Sequence, residues 1–89
     1  MKIHKKAAFN EIFVKHDAHI NRYIKRIIQL FEEGIQTVLI HGMSASIEKC
    51  VRIALQINDQ YCGITYKIKT SSQDNKSGIH IELTKQLLI

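Results

Sequence analysis

The sequence lacks any apolar run near the roughly 18 residues that a membrane-spanning helix requires, and it has neither proline nor tryptophan. Residues 1–6 are basic, but no apolar stretch with a small-residue cleavage site follows, so we expect neither a secretory signal nor a membrane partner. The only cysteines are Cys50 and Cys62. We therefore expect a reducing compartment, with both thiols acting as small buried apolar groups rather than as a disulfide or a nucleophile.

The sequence also lacks the patterns of common catalytic and cofactor sites. It has no P-loop or dinucleotide-binding glycine pattern, and its spacing supports no arrangement of serine, histidine and acid. His16 and His19 have no third and fourth metal ligand beside them in the sequence. The few aromatic residues fall mainly at core spacing, with Tyr23 as the one left open, and do not indicate a base-stacking platform. We expect no cofactor, no metal and no intrinsic active site.

The charge of the chain is unevenly distributed. Residues 1–26 hold seven basic and two acidic side chains, whereas residues 27–89 hold six of each, so the net charge of +5 lies in the first third. A local basic excess favours RNA or DNA through phosphate contacts and counterion release. From charge alone, a solvated, solubilising face is an equal alternative. We predict a basic N-terminal tail over 1–8 and a single domain over 9–89.

The first half of the chain predicts a strand followed by a helix. Residues 10–15 are rich in β-branched and aromatic side chains, which favours a strand. Asp17 is a candidate cap for a helix whose apolar residues recur at helical spacing from Ile20 to Phe31. Gly34 is suited to end that helix.

A second strand and helix follow. Residues 36–41 form an apolar run typical of a buried strand. Ser44 or Ser46 can cap a second helix that ends near Asn58 or Gln60.

The rest of the chain predicts a hairpin. Apolar and polar residues alternate from 62 to 70, with Ile64, Tyr66 and Ile68 on one face, and alternate again from Ile79 onward. Residues 71–78 are all turn-forming and predict a polar tip between the two strands. The order β-α-β-α-β-β, with right-handed crossovers, puts both helices on one face of a four-stranded mixed sheet. The predicted fold class is an α+β two-layer sandwich.

The segment over residues 38–57, VLIHGMSASIEKCVRIALQI, resembles the signature segment of the Alba superfamily. Within it, IHG at 40–42 followed by IALQ at 53–56 is similar to the smaller Alba-type subunit of eukaryotic ribonuclease P and ribonuclease MRP, as is SGIHI at 77–81. The order of elements agrees over roughly residues 9–85, with the few-residue uncertainty of predicted boundaries.

This resemblance implies a binding role. Such subunits pair with a second, larger Alba-type subunit through the second helix and the adjoining sheet face, and the pair binds a stem and internal loop of the catalytic RNA. The RNA itself cleaves precursor tRNA, so the resemblance implies a non-catalytic subunit in tRNA and rRNA processing, located in the nucleus and nucleolus with other ribonucleoprotein subunits.

The chain departs from the archaeal chromatin-type Alba pattern in one loop. Archaeal proteins carry arginines after the second strand, whereas residues 42–45 here read GMSA and carry no charge. This favours the ribonuclease P branch, although the connection between the last two strands is short for that branch. It also weakens the case for this loop alone gripping phosphate.

The candidate site residues follow from charge, spacing and the resemblance. For nucleic acid they are Lys15, His16, Arg22, Lys25, His41, Gly42, Lys49, Lys67, Lys69 and Lys76. For the partner they are Ile47, Val51, Ala54 and Leu55. Each has an ordinary alternative: Lys15 and His16 as an exposed strand end, His41 and Gly42 as a plain strand-to-helix turn, and Lys67 or Lys69 as a surface partner of Glu82.

Two alternative functions remain open at this point. The first is a homodimeric Alba protein that binds chromatin or messenger RNA, against which the uncharged loop argues. The second is a small enzyme, for which scattered histidines are the only support.

Overall fold

The computed structural model describes residues 10–86 and has the order β-α-β-α-β-β that the sequence predicts. The elements are β1 (Glu11–Phe13), α1 (Ile20–Glu32), β2 (Thr37–Met43), a 3₁₀ turn (Ser44–Ser46), α2 (Ile47–Gln60), β3 (Ile64–Gln73) and β4 (Lys76–Lys85). The predicted tail over 1–8 lies outside the described residues. No helix within them is long and apolar enough to cross a membrane.

The four strands form one mixed sheet in the order β1-β2-β4-β3. β1 runs parallel to β2, while β4 is antiparallel to both β2 and β3. Ile12, Ile40, Ile81 and Ile68 are register partners in one row across the sheet. Because side chains alternate between faces, this register assigns every strand residue to one of the two faces.

Both helices pack on one face of the sheet and form the core with it. The buried residues of α1 and α2 meet Val38 and Ile40 of β2 and Ile81 and Leu83 of β4, all four fully buried. Leu39, His41, Glu82 and His80 alternate with them and are only half-buried. The second face is therefore not covered by α1 or α2, and we call it the open face. The predicted α+β two-layer class is confirmed.

The ends of α1 show one capping prediction that is confirmed and one that is wrong. Gly34, at φ +97°, donates its N–H to the carbonyl of Phe31, and Ile35 donates to Leu30, which is the hydrogen-bond pattern of a Schellman motif. Asp17 does not cap the helix: the residue at the cap position is His19, with no side-chain cap hydrogen bond. The turn 15–18 separates Asp17 from the first helical residue and removes it from capping distance.

The predicted hairpin is confirmed, but the turn predicted over residues 71–78 is too long. β3 and β4 stay paired as far as Gln73 and Lys76, and a two-residue turn of Asp74 and Asn75 joins them. Both turn residues have positive φ, 52° and 65°, as a type I′ hairpin requires. Residues 71, 72 and 74–77 are all exposed, so the two strands continue without an apolar alternation to reveal them.

The two cysteines differ, although the sequence predicts both to be buried. Cys50 is fully buried among core residues, and burial raises the pKa of its thiol to about 11. Cys62 is exposed, because it lies in the short connection between α2 and β3 rather than in a strand. Both are free thiols.

Candidate nucleic-acid interface

The parallel course of β1, β2 and β3 brings three connections to the same end of the molecule. These are the β1–α1 connection (14–19), the β2–α2 connection (43–46) and the outer hairpin (71–78). We call this the loop end. Because both helices start there, their positive N-terminal dipole ends also point toward it.

Exposed basic side chains cluster in the β1–α1 connection and the first turn of α1. Lys15 and His16 are exposed in the connection, and Arg22 is exposed in the first turn of the helix. The backbone N–H of Lys15 donates to the Tyr23 hydroxyl at 3.0 Å, which ties the connection to the helix. Tyr23, left open by the sequence, is thus half-buried and structural. The backbone segments that carry Lys15 and Arg22 are therefore held in place relative to each other.

Lys25 and Arg26 extend this basic surface along α1. Both are exposed, and they lie three and four residues after Arg22, which puts the three cations on one outward helix face. Within residues 10–86, the contacts between an acidic and a basic side chain join Glu11 to His41 and Glu48 to Arg52, so neither contact occupies this face. The face formed by Arg22, Lys25 and Arg26 is therefore available to a polyanion.

Lys49, in contrast, already serves the fold. Its Nζ donates to the carbonyl of Ala18 at 2.6 Å, joining α2 to the β1–α1 connection. Arg52 lies beside it on α2 and pairs with Glu48 at 2.9 Å. A depression of about 230 Å³ lies at this junction, lined by residues that include Lys49 and Arg52. Asp17 and Ala18 also line it, so it is not purely cationic.

The lysines of the hairpin lie at different distances from the loop end. Lys67 and Lys69 are exposed on the open face of β3, opposite Glu82 and His80. No ion pair joins Lys67 to Glu82, so the pairing that the sequence leaves open is not formed. Lys76 is exposed at the start of β4, at the loop end.

His41 lies on the open face within β2, since the strand continues through Met43 instead of ending at residue 41. Its Nε2 is 2.9 Å from a Glu11 carboxylate oxygen, and its Nδ1 is 2.8 Å from Nδ1 of His80. The His80 Nε2 is in turn 3.1 Å from the Ser71 hydroxyl. These contacts make a polar chain across all four strands.

One assignment of protons satisfies this chain with both rings neutral. The His41 Nε2–H donates to the carboxylate of Glu11, which leaves the His41 Nδ1 to accept from the His80 Nδ1–H. The His80 Nε2 then accepts from the hydroxyl of Ser71. Both imidazoles are thereby held in one orientation on the open face.

Phe13 is the most exposed large apolar side chain in the described residues, at 58%. It belongs to the same row as His41 and His80 and faces the His41 ring with 4.9 Å between centroids and a tilt of 32°. A depression of about 270 Å³ opens beside it, with His41, Met43 and His80 among its walls. The depression lies where β1 and β2 end, next to Lys15.

Gly42 has a packing role. It is buried, and a Cβ there would stand 2.3 Å from Sγ of Cys50 and 3.2 Å from the carbonyl oxygen of Ser46. The close approach that the sequence predicts is therefore present, without a positive φ. Gly42 lets the start of α2 lie directly on β2, and it is also among the residues that line the depression beside Phe13.

The apolar residues assigned to the partner follow one flank of α2. Ile47 and Val51 are half-buried and Leu55 is 55% exposed, at i, i+4 and i+8, while Ala54 is buried in the core. Lys49 reaches the β1–α1 connection from the opposite flank, so this stripe faces the β3 edge of the sheet.

The sheet continues this stripe at the β3 edge. Tyr66 and Ile68 share the helix side of β3, as the predicted alternation requires, but they are 44% and 49% exposed. The two helices leave β3, the edge strand, largely uncovered. The stripe and these two side chains form one surface, which we call the α2–β3 surface.

Glu11, Phe13, Ser71 and His80 were missed as candidates from the sequence. Each looks unremarkable along its own strand, as an acid, a strand aromatic, a turn serine and an outward histidine. Their common face depends on the pairing of β1 with β2, of β2 with β4 and of β4 with β3, and a one-residue slip would move them to the other face. Within residues 10–86, no group of three or more histidine, cysteine or acidic side chains is placed to hold a metal ion.

Comparison with known proteins agrees with this architecture. The sequence matches the Alba family over residues 10–74. The fold is similar to ALBA1 from Trypanosoma brucei (TM-score 0.79, 22% identity, 89% of this chain and 72% of that chain). It is also similar to Alba from Thermoplasma volcanium (TM-score 0.63, 21% identity, 85% of this chain and 100% of that chain). A search of curated proteins finds no match. The family match spans most of the chain, so the protein belongs to the Alba family.

Proposed function

We propose that this chain is an RNA-binding subunit of the ribonuclease P and MRP particles, which pairs with a second Alba-type chain and holds a structured stem of their RNA. The observation that carries the binding role is the exposed basic surface of Lys15, Arg22, Lys25 and Arg26 at the start of α1 in a member of the Alba family. Four cations on one rigid surface suit the regularly spaced phosphates of a helical stem.

The pairing half of the proposal rests on the α2–β3 surface. Leu55, Tyr66 and Ile68 leave large apolar areas in water, and a domain of this size gains stability when a partner covers them. The surface lies on the opposite edge of the sheet from β1 and the β1–α1 connection. A partner and an RNA stem can therefore bind at the same time.

The particle is proposed from the resemblance of residues 40–42, 53–56 and 77–81 and from the uncharged connection 43–46. No cation lies in that connection, so phosphate contacts have to come from α1 and the hairpin. We accordingly propose that the chain does not catalyse the cleavage itself and that it acts in the nucleus and nucleolus.

A homodimeric Alba protein that binds messenger RNA or chromatin is the second candidate. It is favoured by the α2–β3 surface, which would also suit a second copy of this chain. The two candidates share the RNA surface and differ in the partner.

The experiment that distinguishes them is purification of the tagged chain from its native cells, with sequencing of the bound RNA and identification of the bound proteins. Recovery of ribonuclease P or MRP RNA together with a second Alba-type protein is the result we expect. Mixed messenger RNA or bulk DNA with self-association alone would contradict the particle assignment and support the homodimer.

A further inference from the structure

We propose that the depression beside Phe13 on the open face binds an unpaired nucleobase, which stacks on the Phe13 ring while its phosphate contacts Lys15. This inference deepens the proposed function, on which it rests. The resemblance implies a stem with an internal loop, and the inference assigns the residues that hold an unpaired nucleotide of that loop.

The aromatic surface is the first argument. Phe13 is 58% exposed although aromatic side chains are usually removed from water, and one side of its ring is already supported by His41 at 4.9 Å. Its remaining surface borders the depression of about 270 Å³. Proteins that read unpaired bases stack them on aromatic side chains displayed on a sheet, because every base has a π-face and paired bases cannot be reached.

The second argument is that the site is already held in shape. His41 and His80 line the depression, and the contacts with Glu11 and Ser71 fix both rings before any ligand arrives. An aromatic support that does not have to be ordered on binding costs less conformational entropy. The polar chain across the open face therefore has a role in presenting Phe13.

Charge around the site favours a nucleotide. Lys15 follows Phe13 by two residues and is exposed, and Lys69 stands in the same sheet row as Phe13, beyond His80. The carboxylate of Glu11, the nearest acid on this face, is held by His41. The site thus presents an aromatic surface with Lys15 near it along the chain and Lys69 on the same face of the sheet, three strands away.

A protein partner is disfavoured at this position. The α2–β3 surface lies on the helix-covered side at the β3 edge, whereas Phe13 belongs to β1 at the opposite edge and points to the open face. One chain seated on the α2–β3 surface would leave Phe13 uncovered.

The test compares two RNA probes of equal length by fluorescence anisotropy, one a continuous stem and the other the same stem with an internal loop of unpaired purines. We expect the full chain to bind the looped probe more tightly. Phe13→Ala should lower affinity for that probe by roughly 5- to 150-fold and change binding to the continuous stem little. Phe13→Trp should keep the preference, and 2-aminopurine in the loop should lose fluorescence on binding the wild-type chain.

Thr70→Ala is the control, because it shortens an exposed side chain on the other face of the sheet and outside the α2–β3 surface. It should leave the preference for the looped probe intact. Circular dichroism checks that Phe13→Ala remains folded. Equal binding of both probes by wild type and Phe13→Ala would overturn the stacking site and leave stem binding standing, whereas no binding to either probe would overturn the proposed function. Loss of stability in Phe13→Ala with unchanged RNA binding would assign Phe13 to the fold.

Discussion

The two helices cover the same sheet face and differ in what they leave exposed. α1 has 13 residues and α2 has 14, and each buries four side chains in the common core. The outward face of α1 carries Arg22, Lys25 and Arg26, while the exposed flank of α2 ends in Leu55. Two helices that contribute equally to the core can thus expose different surfaces. The surface of α1 is suited to a polyanion and that of α2 to a protein chain.

The largest expected effect concerns α2. Leu55→Asp should weaken pairing by roughly 30-fold or more, because it would bury a carboxylate in an apolar contact. The side chain is 55% exposed in the single chain, so the fold should be retained. Analytical ultracentrifugation with the identified partner, or with the chain alone, measures the effect. Gln56→Asp, an exposed neighbour outside the stripe, is the control, and equal weakening by both variants would remove α2 from the interface.

The close packing of α2 against β2 at Gly42 gives the second prediction. Gly42→Ala places a methyl group 2.3 Å from Sγ of Cys50 and should lower the free energy of unfolding by about 1–3 kcal/mol. In the Cys50→Ala background the same change should cost less, because the colliding sulfur is gone. Urea denaturation of the four proteins gives the coupling. Additive effects would show that the clash is relieved elsewhere.

The third prediction concerns α1 and its preceding connection. Lys15→Ala combined with Arg22→Ala should reduce affinity for an RNA stem by about 10- to 30-fold near physiological salt and lower the salt slope by about 1.4–1.8. The measurement is anisotropy over a range of salt concentrations. Arg52→Gln combined with Lys85→Gln removes the same charge from side chains that already contact Glu48 and Tyr61. An equal loss of slope in this control would mean that net charge, and not the α1 surface, governs binding.

The smallest effect concerns the thiol beneath α2. Burial raises the pKa of Cys50 from 9.0 to about 11, so its protonated form is favoured in the folded state. The resulting stability is complete below pH 9 and is lost as the pH rises toward 11. At pH 9.5 the loss amounts to about 1 kcal/mol or less. Chemical denaturation of wild type and Cys50→Ala across this range isolates it. A parallel decline in both proteins would contradict this cause.

The last prediction compares the thiol reactivity of the exposed Cys62 with that of the buried Cys50. Exposed Cys62 should react at once with a thiol reagent, whereas Cys50 should react only after unfolding.

The element order could be predicted because apolar periodicity marks each buried face. Gly34 could be predicted as a helix end because its conformation is local. The outer hairpin could not, since Ser72 and Ser77 are paired by the backbone where no core imposes an alternation. For the site, exposed cations such as Lys15 follow from charge, whereas the row of Phe13, His41 and His80 requires a strand register that sequence spacing does not supply.

The most direct test of whether α1 binds RNA and α2 binds the partner is ultraviolet crosslinking of the reconstituted pair to its RNA. Mass spectrometry then identifies the crosslinked peptides. The account predicts crosslinks in the segment over 13–26, and protection of the α2 flank over 47–55 by the partner. Crosslinks concentrated on 47–55, with none in 13–26, would contradict it.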